Sequence, residues 1–380
     1  MMHRVIPFFS TVFIACAMYN AFAKSMQSLA ATPFPIAVWL QNPVLAPEYQ
    51  QAGFNLYVGL WQGPTEAQLS ALKKTGMRVI CEQNETALKH LQDHTIFGWM
   101  QQDEPDNAQP LPQGGYGTCV PPEKVVDIYR KIHSNDPSRP SMLNLGQGVA
   151  NDQWMGRGTG AKLSDYLTYV KGGDIISFDI YPIAQFGPKE GLKKMWLIAK
   201  GLDRLKEWTD GKKSLWCCIE CTNIDGNGMA TPNEVRSEVW MAIIHGAKGL
   251  IYFVHQFKPK FDEHALLDEP EMLKTVTKLN SQIQAMNPIL QSPSPKRNVT
   301  VSTSNEGVPI SMLSREYNGA IYLFAIGMRD NDTTATFHIP APLESSRVTV
   351  INENRTIEAR QGTFQDSFTP YQVHIYRIEP

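Results

Sequence analysis

From residue 34 onward, short apolar runs alternate with amphipathic stretches. The apolar runs fall at 34–40, 54–60, 77–83, 96–102, 141–146, 174–181, 214–221 and 249–255. Each is short and mostly apolar, as a strand covered on both faces must be. The stretches between them carry helical signals. Thr65-Glu66-Ala67-Gln68 has the hydroxyl and the Gln three residues later that close a capping box, and Gly76 stops that helix. Pro121-Pro122-Glu123 opens a helix to about residue 135, and further helices are expected over 189–208, 231–245 and 270–286. A strand followed by a crossover helix, repeated about eight times, predicts an α/β fold closed as a (β/α)8 TIM barrel. A doubly wound open sheet uses the same units. However, the chain has no G-x-G-x-x-G after its first strand and no G-x-x-x-x-G-K-[ST] anywhere.

The pattern breaks at Ser292-Pro293-Ser294-Pro295. Beyond it, 298–304, 308–314, 319–326, 333–339, 346–351 and 372–378 are β-rich and are separated by turns such as Asn318-Gly319. They predict a small antiparallel β-sandwich domain. The expected organisation is a leader over 1–23, the barrel over 24–291 and the sandwich over 292–380. The leader reads as a signal peptide: Arg4, an apolar stretch over 5–18, then Ala21-Phe22-Ala23 as a small-x-small cleavage site. It predicts a secreted or periplasmic protein, with lipid anchoring through Cys16 as the alternative. The stretch is shorter than the roughly 20 residues a membrane span needs, so no span is expected.

Charge and cysteines narrow the partners. With 35 Lys and Arg against 37 Asp and Glu, the net charge of -2 gives no field to attract nucleic acid or an anionic membrane surface. A neutral partner is expected, and 10% aromatic residues supply ring faces suited to the C–H faces of sugars. Of the 6 Cys, loss of Cys16 with the leader leaves an odd number, which does not indicate a disulfide framework. Cys218-Ile219-Glu220-Cys221 matches C-x-x-C, but it lies in an apolar run without a second ligand pair and reads as small buried side chains. Asp225-Gly226-Asn227-Gly228 reads as a turn, because it lacks the later acid of a calcium loop. No metal and no cofactor are expected.

In a barrel of this kind the active site lies at the C-terminal ends of the strands. The fourth run ends Gln101-Gln102-Asp103-Glu104-Pro105-Asp106 and the seventh Cys217-Cys218-Ile219-Glu220-Cys221, so each puts a Glu at the mouth. A carboxylate among Trp216, Cys217, Cys218 and Ile219 must be paired, neutral or functional. The plain alternatives are a salt bridge for Glu220 and a capping acid for Glu104. Two carboxyl groups suit glycoside hydrolysis, one to protonate the departing oxygen and one to stabilise or trap the oxocarbenium-like centre. Candidate sugar contacts are Trp39, Trp61, Asn144, His255 and Gln256 at other strand ends. Tyr116, Trp154 and Arg157 join them from the long loops 106–120 and 147–162.

The Glu-Pro at the end of the fourth strand, the Glu at the end of the seventh and the β-rich C-terminal region together resemble the retaining β-glycosidases of glycoside hydrolase clan A. The resemblance spans about 34–291, and only the two short motifs are specific within it. It implies a carbohydrate substrate, with Glu104 as general acid/base and Glu220 as nucleophile of a double displacement. Asp103 departs from the clan, which has an Asn there that contacts the sugar 2-hydroxyl; an ionised Asp accepts a hydrogen bond but donates none. Tyr181, in Asp179-Ile180-Tyr181-Pro182, resembles a D-x-Y-P segment whose aromatic hydroxyl approaches the nucleophile, and a Tyr packed under a Pro turn is the other reading. A non-catalytic carbohydrate-binding barrel is the alternative function. A metal-assisted hydrolase is a third reading, disfavoured by the few His near strand ends.

Overall fold

The computed structural model describes residues 32–154, 156, 160, 162–296, 298–340 and 345–379. The leader with Cys16 and the Arg157 side chain lie outside the described residues.

Eight parallel strands close a barrel: β1 (Ile36–Trp39), β2 (Leu56–Val58), β3 (Arg78–Cys81), β4 (Ile96–Met100), β5 (Ser141–Leu145), β6 (Ile175–Phe178), β7 (Ser214–Glu220) and β8 (Gly249–Phe253). Closure is direct, since β1 pairs with β8 through Ile36↔Leu250, Ala37↔Ile251 and Val38↔Tyr252. Side chains alternate along each strand, so Trp216 and Cys218 pack in the barrel interior with Trp39, Val58, Ile80 and Met142. Cys217, Ile219 and Cys221 instead face the layer of helices. Gly249 is required by this packing. A Cβ there would meet the Trp216 indole at 2.4 Å, so the glycine is the space the ring occupies.

The helices follow their sequence signals. Thr65 caps Glu66–Thr75 in a full capping box with Gln68, and Gly76 ends that helix at φ 75°. Thr231 and Glu234 form a second box at the start of Pro232–Ile244. The helix expected over 189–208 is two pieces, Pro182–Leu192 and Leu197–Trp208, and the first is kinked where Gly187 takes φ 77° ahead of Pro188. Among the described residues no helix is long and apolar enough to cross a membrane.

After Pro270–Leu290 the chain forms an eight-stranded antiparallel sheet in the order β10-β11-β16-β13-β14-β15-β12-β9. These strands are β9 (Thr300–Thr303), β10 (Ile310–Tyr317), β11 (Ala320–Gly327), β12 (Thr333–His338), β13 (Ser345–Val350), β14 (Arg355–Arg360), β15 (Thr363–Phe368) and β16 (Val373–Ile378). β14 and β15 meet through the single pair Arg360↔Thr363, so the sheet turns a corner there. Its two halves then face each other over one core: Leu323, Val348 and Tyr376 pack against Phe337, Phe364 and Phe368. This is the expected sandwich. Two of its strands, β14 and β15, escape the sequence reading because their alternation is mostly polar.

The opposite face of β11 and β16 packs on the barrel helices. Trp240 of Pro232–Ile244 stacks on Phe324 of β11 with ring centroids 5.4 Å apart, and both are fully buried. Trp240→Ala is expected to cost about 3–5 kcal/mol, the usual range for a large buried aromatic. Urea unfolding followed by fluorescence checks this, and a loss below about 1 kcal/mol would mean that this stack does not hold the two parts together.

Candidate active site

The site is built where β4, β5 and β6 end. Just past β4 the chain crosses the barrel rim at Asp103 and Glu104. Glu104 takes φ 42°, a left-handed conformation that costs a non-glycine residue of order 1 kcal/mol or more and that clusters at functional sites. Its backbone is pinned on both sides. Its N–H donates to the Asn144 carbonyl at 3.1 Å, and its carbonyl accepts from Asn107 N and from Gln109 Nε2, each at 3.1 Å.

Asn144, buried on β5, organises the acids around it. Its Nδ2 donates to Asp103 Oδ1 at 2.9 Å and to Asp179 Oδ1 at 3.0 Å, while its Oδ1 accepts from Ser177 Oγ at 2.6 Å. The two hydrogens of one planar amide diverge by about 120°, which sets the accepting oxygens roughly 5 Å apart. Asp179 stands just past β6 with the Cys218 thiol and the Tyr181 hydroxyl near it, both favouring its ionised form, while the thiol itself donates to Asn144 Oδ1 at 3.7 Å.

These acids line one cavity of about 500 Å³ at the C-terminal mouth of the barrel. Asp103, Glu104, Asp179 and Tyr181 share it with Asn107, Gln147, Gln185 and Asp225. Its largest apolar side chains are aromatic, Trp154, Phe253 and Phe257, beside Ile180, Ala184 and Ile224. Trp154 is oriented by its Nε1–H bond to Asn107 Oδ1 at 2.9 Å. Tyr181 packs on Phe253 at 5.3 Å, and the rings continue through Phe257 to the exposed Phe261. A second cavity, of about 420 Å³, opens at the other end of the barrel near Phe34 and Leu313 and contains no acid.

Loss of hydration governs the titration of these groups. Asp103 opens onto the cavity but is crowded by protein, and it is pushed up to about 7, first by lost hydration and then by the charge of Asp179. Asp179 is raised as well, chiefly by burial, although its three donors favour the ionised form. Two such carboxyls a few ångströms apart titrate as a pair, so one proton stays on the pair up to about neutrality. Burial also lifts Asp106 to about 6; it accepts from Gly146 N and Tyr166 Oη at 2.8 Å and ties the rim together outside the cavity.

The structure does not bring Glu220 into this cavity, which corrects the expectation that Glu104 and Glu220 converge. Glu220 is fully buried, and its Oε1 and Oε2 accept from the backbone N–H groups of Ile183 and Ala184, each at 2.7 Å. It caps the helix Pro182–Leu192, whose first turn supplies Ala184 and Gln185 to the cavity wall. Glu238, buried on Pro232–Ile244, lies beside it and is held well above the carboxylate range by burial and by the Glu220 charge, while Glu220 itself is raised to about 7. Neither Glu238 oxygen meets a donor, and its raised proton affinity keeps a proton on it beside the Glu220 charge.

The other predicted contacts divide. Asn144, Trp154, Tyr181 and Asp103 are at the site. Trp39 is buried in the barrel interior and Trp61 is exposed beyond β2, and neither lines the cavity. His255 is buried edge-on against Phe253, with Nε2 unpartnered, and Gln256 is held in a bridge to Asp262. Both stand behind the aromatic wall. Asp179, Asn107, Gln147, Gln185, Asp225, Phe253 and Phe257 were missed as site residues. For Asp179 the signal was present, since an acid two residues before Tyr181 ends a strand.

No protein-family model matches the sequence, and no curated protein does. Among solved structures the chain is similar to the alpha-amylase from Geobacillus thermoleovorans complexed with acarbose, with TM-score 0.53 and 11% identity over 91% of this chain and 98% of that one. It is similar to AmyP in complex with maltose, with TM-score 0.50 and 10% identity over 92% of this chain and 98% of that one. A variant of AmyP with maltotriose gives TM-score 0.50 and 11% identity over 89% and 90%. At such identities the likeness is one of fold.

Two outcomes test the sealed Glu220–Glu238 pair. Because both carboxyls are raised, the folded state holds protons that the unfolded chain releases, so stability falls as pH rises from about 4.5 toward 7 and beyond. Glu238→Gln keeps a donor toward Glu220 without a titrating proton, and thermal melts from pH 5 to 9 should lose less Tm than the parent protein does. Glu220→Gln cannot accept from both amides and should destabilise by about 2 kcal/mol in chemical unfolding.

Proposed function

We propose that the protein is a glycoside hydrolase acting on a neutral oligo- or polysaccharide, with Glu104 as general acid/base and Asp179 as nucleophile. The observation that carries this reading is the convergence of Asp103, Glu104 and Asp179 on one aromatic-walled cavity at the C-terminal mouth of the barrel. Ring faces on one side and carboxyls on the other match what a sugar ring offers, apolar C–H faces and polar edges.

The chemistry needs one proton donor and one anion. Asp179 carries the anion: its charged form accepts from Asn144 and is favoured by the nearby Tyr181 hydroxyl and Cys218 thiol. Attack of its oxygen on the anomeric carbon breaks the glycosidic C–O bond, and Glu104 gives its proton to the departing oxygen. Glu104 then takes a proton from water, whose oxygen displaces Asp179 from the sugar and leaves the anomeric configuration retained. Asp103 keeps the shared proton and serves as a hydrogen-bond donor to a sugar hydroxyl. It thereby does what the Asn of clan A does at the corresponding position.

The substitutions that test this are Glu104→Gln and Asp179→Asn, each expected to lower kcat about 10²–10⁴-fold on aryl glycosides with ligand binding kept. Glu220→Gln should act through stability and lose far less. Equal loss in Glu220→Gln at matched folded fraction would restore Glu220 as the nucleophile. Sugar binding without turnover in the parent protein would support the non-catalytic barrel. The pH profile gives a separate check. Activity should decline as pH rises through about 7, where Asp103 loses its proton, and Asp103→Asn should remove that limb.

A further inference from the structure

The loop after β8 returns to the barrel through a small polar cluster that the proposed mechanism does not use. Gln256 and Asp262 exchange backbone hydrogen bonds at 2.9 and 2.8 Å, which fixes Asp262. Its Oδ1 then accepts from His264 N at 2.9 Å. The short helix Ala265–Asp268 brings Asp268 back to the same point. His264 Nδ1 therefore lies 3.3 Å from Asp262 Oδ1 and 3.4 Å from Asp268 Oδ2. All three ligand atoms lie within 4.8 Å of one another.

These spacings are too long for charged hydrogen bonds, which run about 2.7–2.9 Å. The same chain makes three His–carboxylate contacts that do close: His90–Glu66 at 2.7 Å, His245–Asp203 at 2.8 Å and His374–Glu353 at 2.5 Å. In contrast, His264 Nδ1 is shielded from solvent and bonds to neither acid. Among the described residues, the ion pairs that Asp262 and Asp268 make are those with His264. The cluster thus gathers one imidazole nitrogen and two carboxylates within 4.8 Å of one another, with no hydrogen bond closing between the nitrogen and either acid.

A metal ion would span it. Ligands about 2.0–2.1 Å from a tetrahedral ion lie about 3.3–3.4 Å from each other. We propose that Asp262, His264 and Asp268 bind one divalent first-row transition cation of the zinc class, with the remaining position left to water. An imidazole nitrogen beside two carboxylates favours such an ion over calcium or magnesium, which take oxygen ligands almost exclusively. The ion's role is positional. It clamps the loop that carries Phe257 and Phe261, so it stiffens the aromatic edge of the cavity while taking no part in bond breaking. The inference does not depend on the hydrolase reading.

The test uses the full chain stripped with a chelator and dialysed against zinc chloride. One equivalent of zinc by elemental analysis is expected, together with a rise in Tm. His264→Ala and, separately, Asp268→Asn should each weaken zinc binding at least about tenfold and abolish the Tm rise. His264 is 44% exposed, so its replacement leaves the fold intact. The proposal is overturned if no stoichiometric zinc binds, or if the zinc persists in His264→Ala. It is overturned equally if calcium binds as tightly and survives His264→Ala, which would mark an acidic patch only. A cobalt-substituted protein showing thiolate charge transfer would place the ion at cysteines instead and likewise overturn it.

Discussion

Carboxyl groups crowded by protein and met by neutral donors are the constraint on which the C-terminal mouth of this barrel depends. Asp103, Asp106, Asp179, Glu220 and Glu238 gather where the barrel strands finish, and the partners described for them are amides, a tyrosine hydroxyl and neighbouring acids. A neutral donor stabilises a carboxylate without cancelling its charge. The remaining cost appears as a raised proton affinity, and each close pair of acids keeps one proton that it would release in water.

The two carboxyl pairs differ in their access to a ligand. Asp103 and Asp179 are bridged by Asn144 and open to the cavity, so their proton is available to a ligand. Glu220 and Glu238 are sealed between β7 and the Pro232–Ile244 helix, and their proton serves the fold alone. Cavity and seal are nonetheless linked through one element. The helix whose first two free N–H groups end on Glu220 begins directly after Tyr181, which lines the cavity with Asp179. The sealed pair therefore sets where one wall of the open pair stands, and a change at Glu220 reaches the cavity through the backbone.

Most of the fold is legible in the sequence because a buried parallel strand and its crossover helix each leave a strong, local mark. Alternation, capping boxes and the stops at Gly76 and the Pro/Ser break are decided within a few residues. The strands β14 and β15 escape because their mostly polar alternation gives no such mark. The site is half legible for a related reason. Strand-end position singles out Asp103, Glu104 and Asn144, which are fixed by the barrel itself. It does not say which way a long side chain turns. Glu220 shares the parity of Trp216 and Cys218, which face the interior, yet its carboxyl meets two amides of a helix that follows a different strand. Such a contact joins residues 37 positions apart, and nothing near Glu220 in the chain announces it. Phe257 and Asp225 were missed similarly, since loops bring them to the cavity.

The departure at Asp103 shows why residue type alone underdetermines role. Taken as an ionised acid, it cannot donate the hydrogen bond that an Asn would supply. Held near Asp179 and crowded by protein, it keeps its proton to about 7 and regains a donor. In the proposed mechanism an Asp here donates as an Asn would, but only below about 7, because an Asn donates at any pH and a shared proton does not. In the proposed mechanism the effect would also vary along the reaction. Once Asp179 is esterified to the sugar its charge is gone, and the Coulombic part of the Asp103 shift goes with it. Asp103 then releases its proton more readily, next to a water that must itself be deprotonated, so a pair that begins as donor and nucleophile ends with a second base at the reacting centre.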